Sequence, residues 1–280
     1  MSSADQEGSV PRILVALDAS PHSLAALRAA AELAADLDAE LVGIFVEDIN
    51  LLRLSDLPLA SEVTIYTTTS RRLNRQEIER QLRSQARMAQ RALEEIARRR
   101  RVRWSFQVAQ GIIASELLAA AEDMDIILLG KSGWSQRRRL GSTTRVIVTQ
   151  APNQIFILQE GAHLGLPVGV LYDGSPNAQK SLVAAANLLR RQDGFLVVVI
   201  LADHVDKARQ FQAEISEWAQ EEEIHIHYRW LVDINLGRLM RIVHGEHCGV
   251  MVLPAEGIVF QGEDLVELLE ETDCPVLLVR

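Results

Sequence analysis

Short apolar runs alternate with longer helix-like segments along most of the chain. The run Arg12 to Leu17 (RILVAL) is followed by a polar turn, Asp18 to Pro21, and then by an Ala/Leu-rich segment without Gly or Pro. Short apolar runs are typical of buried strands, and the segments between them have the length of helices. Strands separated by helices predict right-handed βαβ units on a parallel sheet.

The first half of the chain carries five such runs. The predicted strands are 12–17, 41–46, 102–108, 126–129 and 155–158, and the predicted helices are 22–37, 75–100, 112–121 and 142–149. Residues 47–74 contain few helix signals, which predicts an excursion that covers another surface or contacts a partner. Residues 1–11 carry Asp5 and Glu7 without an apolar core, which predicts a disordered tail rather than a secretory signal.

The second half repeats this order of elements. Its predicted strands are 168–172, 195–201, 224–231, 250–253 and 276–279, and its predicted helices are 177–191, 205–222, 236–245 and 263–271. Ile13 to Pro21 (ILVALDASP) aligns with Val168 to Pro176 (VGVLYDGSP) at an offset of 155, whereas Gly141 aligns with Gly262 at an offset of 121. A duplication with extra length in the first half accounts for both alignments.

The repeated pattern predicts an α/β fold with two tandem, doubly wound, Rossmann-like domains. Each should have a five-stranded parallel sheet with helices on both faces. We expect the domains to span 12–160 and 166–280, with a linker at 161–165. The two halves should pair as an intramolecular pseudo-dimer with their final strands close together. The sequence leaves open whether whole chains also form a homodimer.

Composition excludes several classes of protein. Of the 280 residues, 48% are hydrophobic and 24% are charged, which rules out collagen-like, low-complexity and disordered chains. Purely apolar runs such as Leu196 to Ala202 are far shorter than the roughly 20 residues needed to span a bilayer. Cys248 and Cys274 cannot build a disulfide framework. We therefore expect a cytoplasmic protein that has no membrane segment.

Charge is distributed unevenly between the halves. The net charge of −9 argues against nucleic-acid binding, because nucleic-acid binders need cationic surfaces. Residues 1–160 contain 20 Lys and Arg against 20 Asp and Glu, whereas residues 161–280 contain 9 against 18. An anion site is therefore expected in the first half. Arg98 to Arg101, with Arg103, lie at the end of a long predicted helix and are interpreted as a solvated helix end.

A glycine-rich loop follows the fourth predicted strand. Gly130-Lys131-Ser132-Gly133 is separated by seven residues from Gly141-Ser142-Thr143, which opens a predicted helix. Glycines let the backbone approach a phosphate closely, and a helix N-terminus adds amide donors and partial positive charge. Lys131 and Arg137 to Arg139 are the cationic side chains of this loop, and a merely solvated role for the arginines stays open. The structural alternative is a glycine turn with a serine cap.

These residues resemble the universal stress protein family. The family's most specific motif is Gly-x-x-Gly, then a spacer, then Gly-Ser/Thr. The family's spacer is slightly longer than the seven residues that separate Gly133 from Gly141 here. The Asp-x-Ser turn after the first strand agrees with it. The resemblance covers nearly the whole chain as a tandem member and implies an adenine nucleotide alpha hydrolase-like fold, ATP with Mg²⁺ as the ligand, and at most slow hydrolysis. The residues that it implies for nucleotide binding are Ala16, Asp18, Ser20, Val46, Leu129, Gly130, Gly133, Gly141, Ser142 and Thr143.

The corresponding loop of the second half differs from the first. Pro254 stands at the place of Gly130, and Glu263 stands at the place of Ser142. Proline lacks an N–H group, and a glutamate at the start of a helix would repel phosphate. We therefore expect the second domain to have kept the fold and lost the phosphate site. Asp173 is interpreted as a turn-forming and helix-capping residue rather than a ribose ligand.

Other chemistries have weaker support in the sequence. No Ser/His/Asp or Cys/His constellation can be placed, because residues 1–160 contain only His22, so a phosphoryl-transfer enzyme is disfavoured. Asp18 has a structural alternative, an Asx turn before the helix. A carrier of a different small ligand and an interaction module without a nucleotide site stay open. A zinc site is disfavoured by the irregular spacing of the second-half histidines, which are His225, His227, His244 and His247.

Overall fold

The computed structural model describes residues 10–56, 61–63, 70–72, 74–132, 139–189, 194–232, 234–257 and 260–280. Its first half contains β1 (Arg12–Ala16), α1 (Pro21–Leu37), β2 (Glu40–Asp48), α2 (Ile49–Ser55), β3 (Ser61–Val63), β4 (Ser70–Arg72), α3 (Arg75–Arg100), β5 (Trp104–Gly111), α4 (Ile113–Ala121), β6 (Ile126–Gly130), α5 (Ser142–Gln150) and β7 (Gln154–Leu158). Its second half contains β8 (Val168–Tyr172), α6 (Pro176–Leu189), β9 (Leu196–Ala202), α7 (Val205–Glu221), β10 (Ile226–Val232), α8 (Leu236–Gly245), β11 (Val250–Pro254), α9 (Glu263–Glu271) and β12 (Val276–Val279).

A single ten-stranded sheet runs through both halves in the order β10-β9-β8-β11-β12-β7-β6-β1-β2-β5. The five strands of each half are parallel to one another, so the predicted fold class is confirmed. The halves join where β12 pairs antiparallel with β7, with Leu277 opposite Phe156. The final strands therefore lie side by side, as expected. The domain bounds 12–160 and 166–280 stay a prediction.

Helices cover both faces of the sheet because the strands are apolar on both sides. Ile13 and Val15 of β1 belong to the core cluster under α1, α3, α6 and α7. Leu14, between them, belongs to the cluster under α4, α5, α8 and α9. Strands that are buried on both faces appear in the sequence as continuous apolar runs, which is the pattern that predicted them.

Two predicted strands began too early, and both for the same reason. Arg101, after α3, has a positive φ of 59°, and the Val102 N–H donates to the Ala97 carbonyl. Glu223, after α7, has a φ of 57°, and the Ile224 N–H donates to the Ala219 carbonyl. These left-handed helix ends use residues that the apolar pattern had assigned to the following strands.

The segment 47–74 contains more regular structure than its composition suggested. Strand β2 continues to Asp48, whose Oδ1 accepts the Asn50 N–H (2.9 Å) and caps α2. Leu52 of α2 is buried, and β3 pairs antiparallel with β4. The helix was missed because it is only seven residues long and buries one side chain. Its expected role as a cover or a contact with a partner stays a prediction.

Candidate functional site

A cavity of about 330 Å³ opens at the carboxyl ends of β1, β2 and β6. Open α/β sheets bind ligands at this edge, because the loops after neighbouring strands meet there. Apolar side chains from Ile44, Ile113 and Leu117 form part of its wall. Gly133 lies outside the described residues. The other nine residues that the sequence implied for nucleotide binding line the cavity, namely Ala16, Asp18, Ser20, Val46, Leu129, Gly130, Gly141, Ser142 and Thr143.

The turn after β1 places Asp18 at the mouth of the cavity. Asp18 is exposed, and its Oδ1 accepts the Ser20 N–H (2.9 Å), so the Asx turn named above is present. Ser20 is fully buried, and its Oγ accepts the Ser23 N–H (3.2 Å) as the N-cap of α1. The Ser20 hydroxyl is therefore engaged in capping α1. The Asp18 carboxylate is the acidic group among the residues that line the cavity.

The start of α5 brings backbone amides to the other side of the cavity. Gly141 is the N-cap of α5, and as a glycine it has no side chain to cap the first N–H groups of this helix. Ser142 is exposed, whereas the Thr144 Oγ1 donates to the Gly130 carbonyl (2.9 Å) and ties α5 to the end of β6. Backbone amides at a helix N-terminus, with the helix dipole behind them, favour an anion.

Gly130 is required by close packing rather than by its backbone angles. A Cβ atom at this position would lie 2.9 Å from the Cβ of His22 and 3.1 Å from its carbonyl carbon. Because His22 sits in the first turn of α1, the loop after β6 can pass it only if residue 130 has no side chain. The glycine that the sequence pattern singled out thus lets β6 and α1 meet at the cavity.

His22 and Ser132 form a polar pair that sequence reasoning did not find. The Glu160 N–H donates to His22 Nδ1 (3.0 Å), so a neutral imidazole carries its proton on Nε2, 3.2 Å from Ser132 Oγ. The Ser132 hydroxyl is then the acceptor, and His22 does not act as a base towards it. The adjacency of β1 and β6 is the signal that could have found this pair, since α1 follows β1 and Ser132 follows β6.

Lys131 does not point to the anion site, which corrects the expectation drawn from its place in the loop. Its side chain is buried, and its Nζ donates to the carbonyls of Glu270 and Thr272 (both 2.8 Å) beside the end of α9. Burial lowers the pKa of this amino group, and the carboxylates of Asp273, Glu270 and Glu271 act in the opposite direction. Of the three loop arginines, only Arg139 is among the described residues, and it is exposed.

The universal stress protein family model matches residues 10–159, which is more than half of the chain. The chain belongs to the universal stress protein family. A universal stress protein from Archaeoglobus fulgidus DSM 4304 has a similar structure, with 15% identity, a TM-score of 0.74, and coverage of 95% of this chain and 97% of the other. A candidate universal stress protein from Pseudomonas aeruginosa UCBPP-PA14 is also similar, with 13% identity, a TM-score of 0.62, and coverage of 96% of this chain and 93% of the other. At these identities the likeness shows the shared fold. No curated protein gives a significant match.

The equivalent place in the second half of this universal stress protein is filled. Only about 10 Å³ remains between Asp173, Pro254, Phe260 and the side chains of α9. Asp173 is 4% exposed, and its Oδ1 accepts the Ser175 N–H (3.0 Å), the turn role expected for it. The loss of the phosphate site from the second half of this stress protein stays a prediction.

Two further observations on this universal stress protein concern groups of metal-ligating side chains and membrane-spanning helices. Across the described residues, no group of three or more His, Cys, Asp or Glu side chains could hold a metal ion. The His227 ring instead stacks on Phe195 at 4.1 Å between centroids, and His244 Nε2 lies 3.5 Å from the carboxylate of Asp273. In the same part of the chain, no helix combines the length and apolar character needed to cross a bilayer.

Proposed function

We propose that this stress-response protein binds ATP with Mg²⁺ in the cavity of its first half. The observation that carries the proposal is the meeting, in one cavity, of an apolar wall with the N-terminus of α5, whose N-cap is a glycine. A purine ring suits apolar side chains such as Val46, Ile113 and Leu129, and phosphate groups suit a helix N-terminus. The family to which the chain belongs supports an adenine nucleotide as the ligand.

The proposed pose assigns one role to each side of the cavity. The base lies against Val46 and Leu129, the phosphates lie at the amides of Ser142 and Thr143, and Asp18 accepts hydrogen bonds from the ribose or holds the hydrated Mg²⁺. Protein-bound Mg²⁺ keeps several waters and is held through one or two carboxylates together with the phosphates, so a single exposed aspartate fits this need.

We propose one nucleotide per chain and a cytoplasmic location. The filled second cavity supports the single site, because Phe260 and the side chains of α9 occupy the space that a base would need. The two free cysteines, Cys248 and Cys274, suit a reducing compartment. The stress-response role itself rests on membership in the family.

Calorimetric titration with ATP and Mg²⁺ tests the proposal, and we expect one site per chain. Ala16→Leu copies Leu171, its counterpart in the second half, and should abolish binding by filling the cavity. Ala213→Leu makes the same change at an exposed position of α7 and is the matched control. Two equivalent sites would contradict the role assigned to the second half.

Identifying a ligand that stays bound through purification distinguishes ATP binding from the two alternatives, a carrier of a different ligand and an interaction module. Mass spectrometry of small molecules released from the purified protein should find an adenine nucleotide. A different ligand, or a wild-type protein that neither carries nor binds ATP, would contradict the proposed function and favour a different carrier or an interaction module.

A further inference from the structure

Both described flanks of the glycine loop are held by one residue of the second half. The main-chain carbonyl of Glu270, at the end of α9, accepts a hydrogen bond from Lys131 Nζ (2.8 Å). The carboxylate of the same residue accepts the Leu140 N–H (3.2 Å). Lys131 follows Gly130, and Leu140 precedes Gly141, so Glu270 contacts the chain on each side of the loop.

The Lys131 contact is buried and directional. This side chain is 6% exposed, and its ammonium group has two carbonyl acceptors, from Glu270 and Thr272, at equal distances of 2.8 Å. A cation at the C-terminus of a helix is favoured by the helix dipole, and a buried ammonium group needs acceptors to offset its lost hydration. Moving α9 away would leave this charge without them.

The backbone of Lys131 links this contact to the anion end of the cavity. Its carbonyl accepts the Gly141 N–H (2.9 Å), and its own N–H donates to the Leu158 carbonyl. Gly141 is the N-cap of α5, whose first amides line the cavity. A shift of Lys131 would therefore change the position of the amides that receive the phosphates in the proposed function.

A second contact joins α9 directly to α5. The carboxylate of Glu263, at the start of α9, pairs with the guanidinium of Arg145 in the second turn of α5. Both side chains are substantially exposed, so this pair adds little stability by itself. It nevertheless places each end of α9 against the segment that forms the anion site.

We propose that α9 of the second half is a positioning element for the nucleotide site of the first half, acting through Glu270, Lys131 and Leu140. This inference rests on the proposed function. It gives the second half a role although its own cavity is filled: α9 holds Lys131 and Leu140, and through them the start of α5, in place to receive phosphate. Coupling between two sites is reciprocal, so nucleotide binding must also stabilise the end of α9.

Glu270→Ala is the main test, because it removes the acceptor of the Leu140 N–H, and neither Glu270 nor Leu140 lines the cavity. Glu267→Ala is the matched control, since Glu267 is an exposed glutamate on the same helix. Coupling free energies are typically worth about 5-fold or more in affinity. We expect Glu270→Ala to weaken ATP binding by at least about 5-fold, with no change in Glu267→Ala.

Hydrogen exchange provides a readout that a purely structural role would not move. In the wild type, ATP should slow amide exchange at residues 268–272, none of which lines the cavity. The slowing should disappear in Lys131→Met and persist in Lys180→Met, a control at an exposed lysine of α6. If Lys131→Met fails to fold, Glu270→Ala serves for the same measurement.

The outcomes separate the two proposals. ATP binding with equal affinity in Glu270→Ala and Glu267→Ala, and exchange in α9 that ATP does not change, would overturn the positioning role and leave the proposed function standing. A wild-type protein that does not bind ATP would overturn both.

Discussion

Replacing Ser142 with Glu should weaken ATP binding without destabilising the fold. Ser142 is the first residue of α5 and is exposed at the cavity, and the first turn of this helix contains no acidic residue. A carboxylate near a helix N-terminus contributes about 0.3–1 kcal/mol to stability. The same carboxylate would stand where the phosphates are proposed to bind. The change should therefore act in opposite directions on the free energy of unfolding and on nucleotide affinity.

The size of the loss follows from Coulomb's law. At a separation of about 5 Å and an effective dielectric constant between about 20 and 80, two like charges repel by roughly 0.8–3.3 kcal/mol. This range corresponds to a loss of about 4-fold to 250-fold in affinity. Loss of a hydrogen bond from the Ser142 hydroxyl to the phosphates would add about 1 kcal/mol.

Ser142→Gln isolates the charge, because glutamine matches glutamate in size and is neutral. Calorimetry should show that the Ser142→Glu protein binds ATP at least about 4-fold more weakly than the Ser142→Gln protein. The difference in affinity should become smaller as the salt concentration is raised. Thermal unfolding should give the Glu variant a melting temperature no lower than that of the Gln variant. Equal affinities for the two variants would refute the placement of the phosphates at α5.

Two further predictions concern chemistry. Steady-state phosphate release should stay well below about 1 per second, because fast turnover needs an oriented water and charge stabilisation. His22 already donates from Nε2 to Ser132, and Lys131 is turned away from the cavity. Faster release that Asp18→Ala removes would show that the protein is an enzyme. Burial raises the pKa of the Cys248 thiol to about 11 and that of Cys274 to about 12. At pH 8 a thiol reagent should therefore react at least about 100-fold more slowly with the native protein than with the unfolded chain, and equal rates would contradict the burial.

The inner strands of the ten-stranded sheet were predictable because they are buried on both faces. Val197, Val198 and Val199 of β9 are almost completely buried although they alternate between two helical layers, so the run is apolar without interruption. The same apolar pattern did not show where each strand begins. Ile224 is apolar but completes the end of α7, and hydropathy cannot separate these two uses of an isoleucine.

The cavity was predictable only as far as topology determines it. Asp18 follows β1 and Gly130 ends the neighbouring parallel strand β6, so a βαβ pattern is enough to bring them to one edge. Lys131 was misassigned because its partner is 139 positions away in sequence, on a helix of the other half. A pattern that places residues on strands and loops does not say which carbonyl a long, flexible side chain will reach.

One packing arrangement accounts both for the filled cavity of the second half and for the proposed role of α9 in positioning the nucleotide site of the first half. Phe260 and Leu265 close the space beside Asp173, and in doing so they anchor α9 against the sheet. An anchored α9 holds Glu270 in place for Lys131, while the neighbouring β12 covers the edge of β7, which would otherwise present unpaired backbone groups. A nucleotide in the second cavity would need the space of Phe260 and would loosen α9. Filling that cavity therefore makes α9 a firmer support for the loop in the first half.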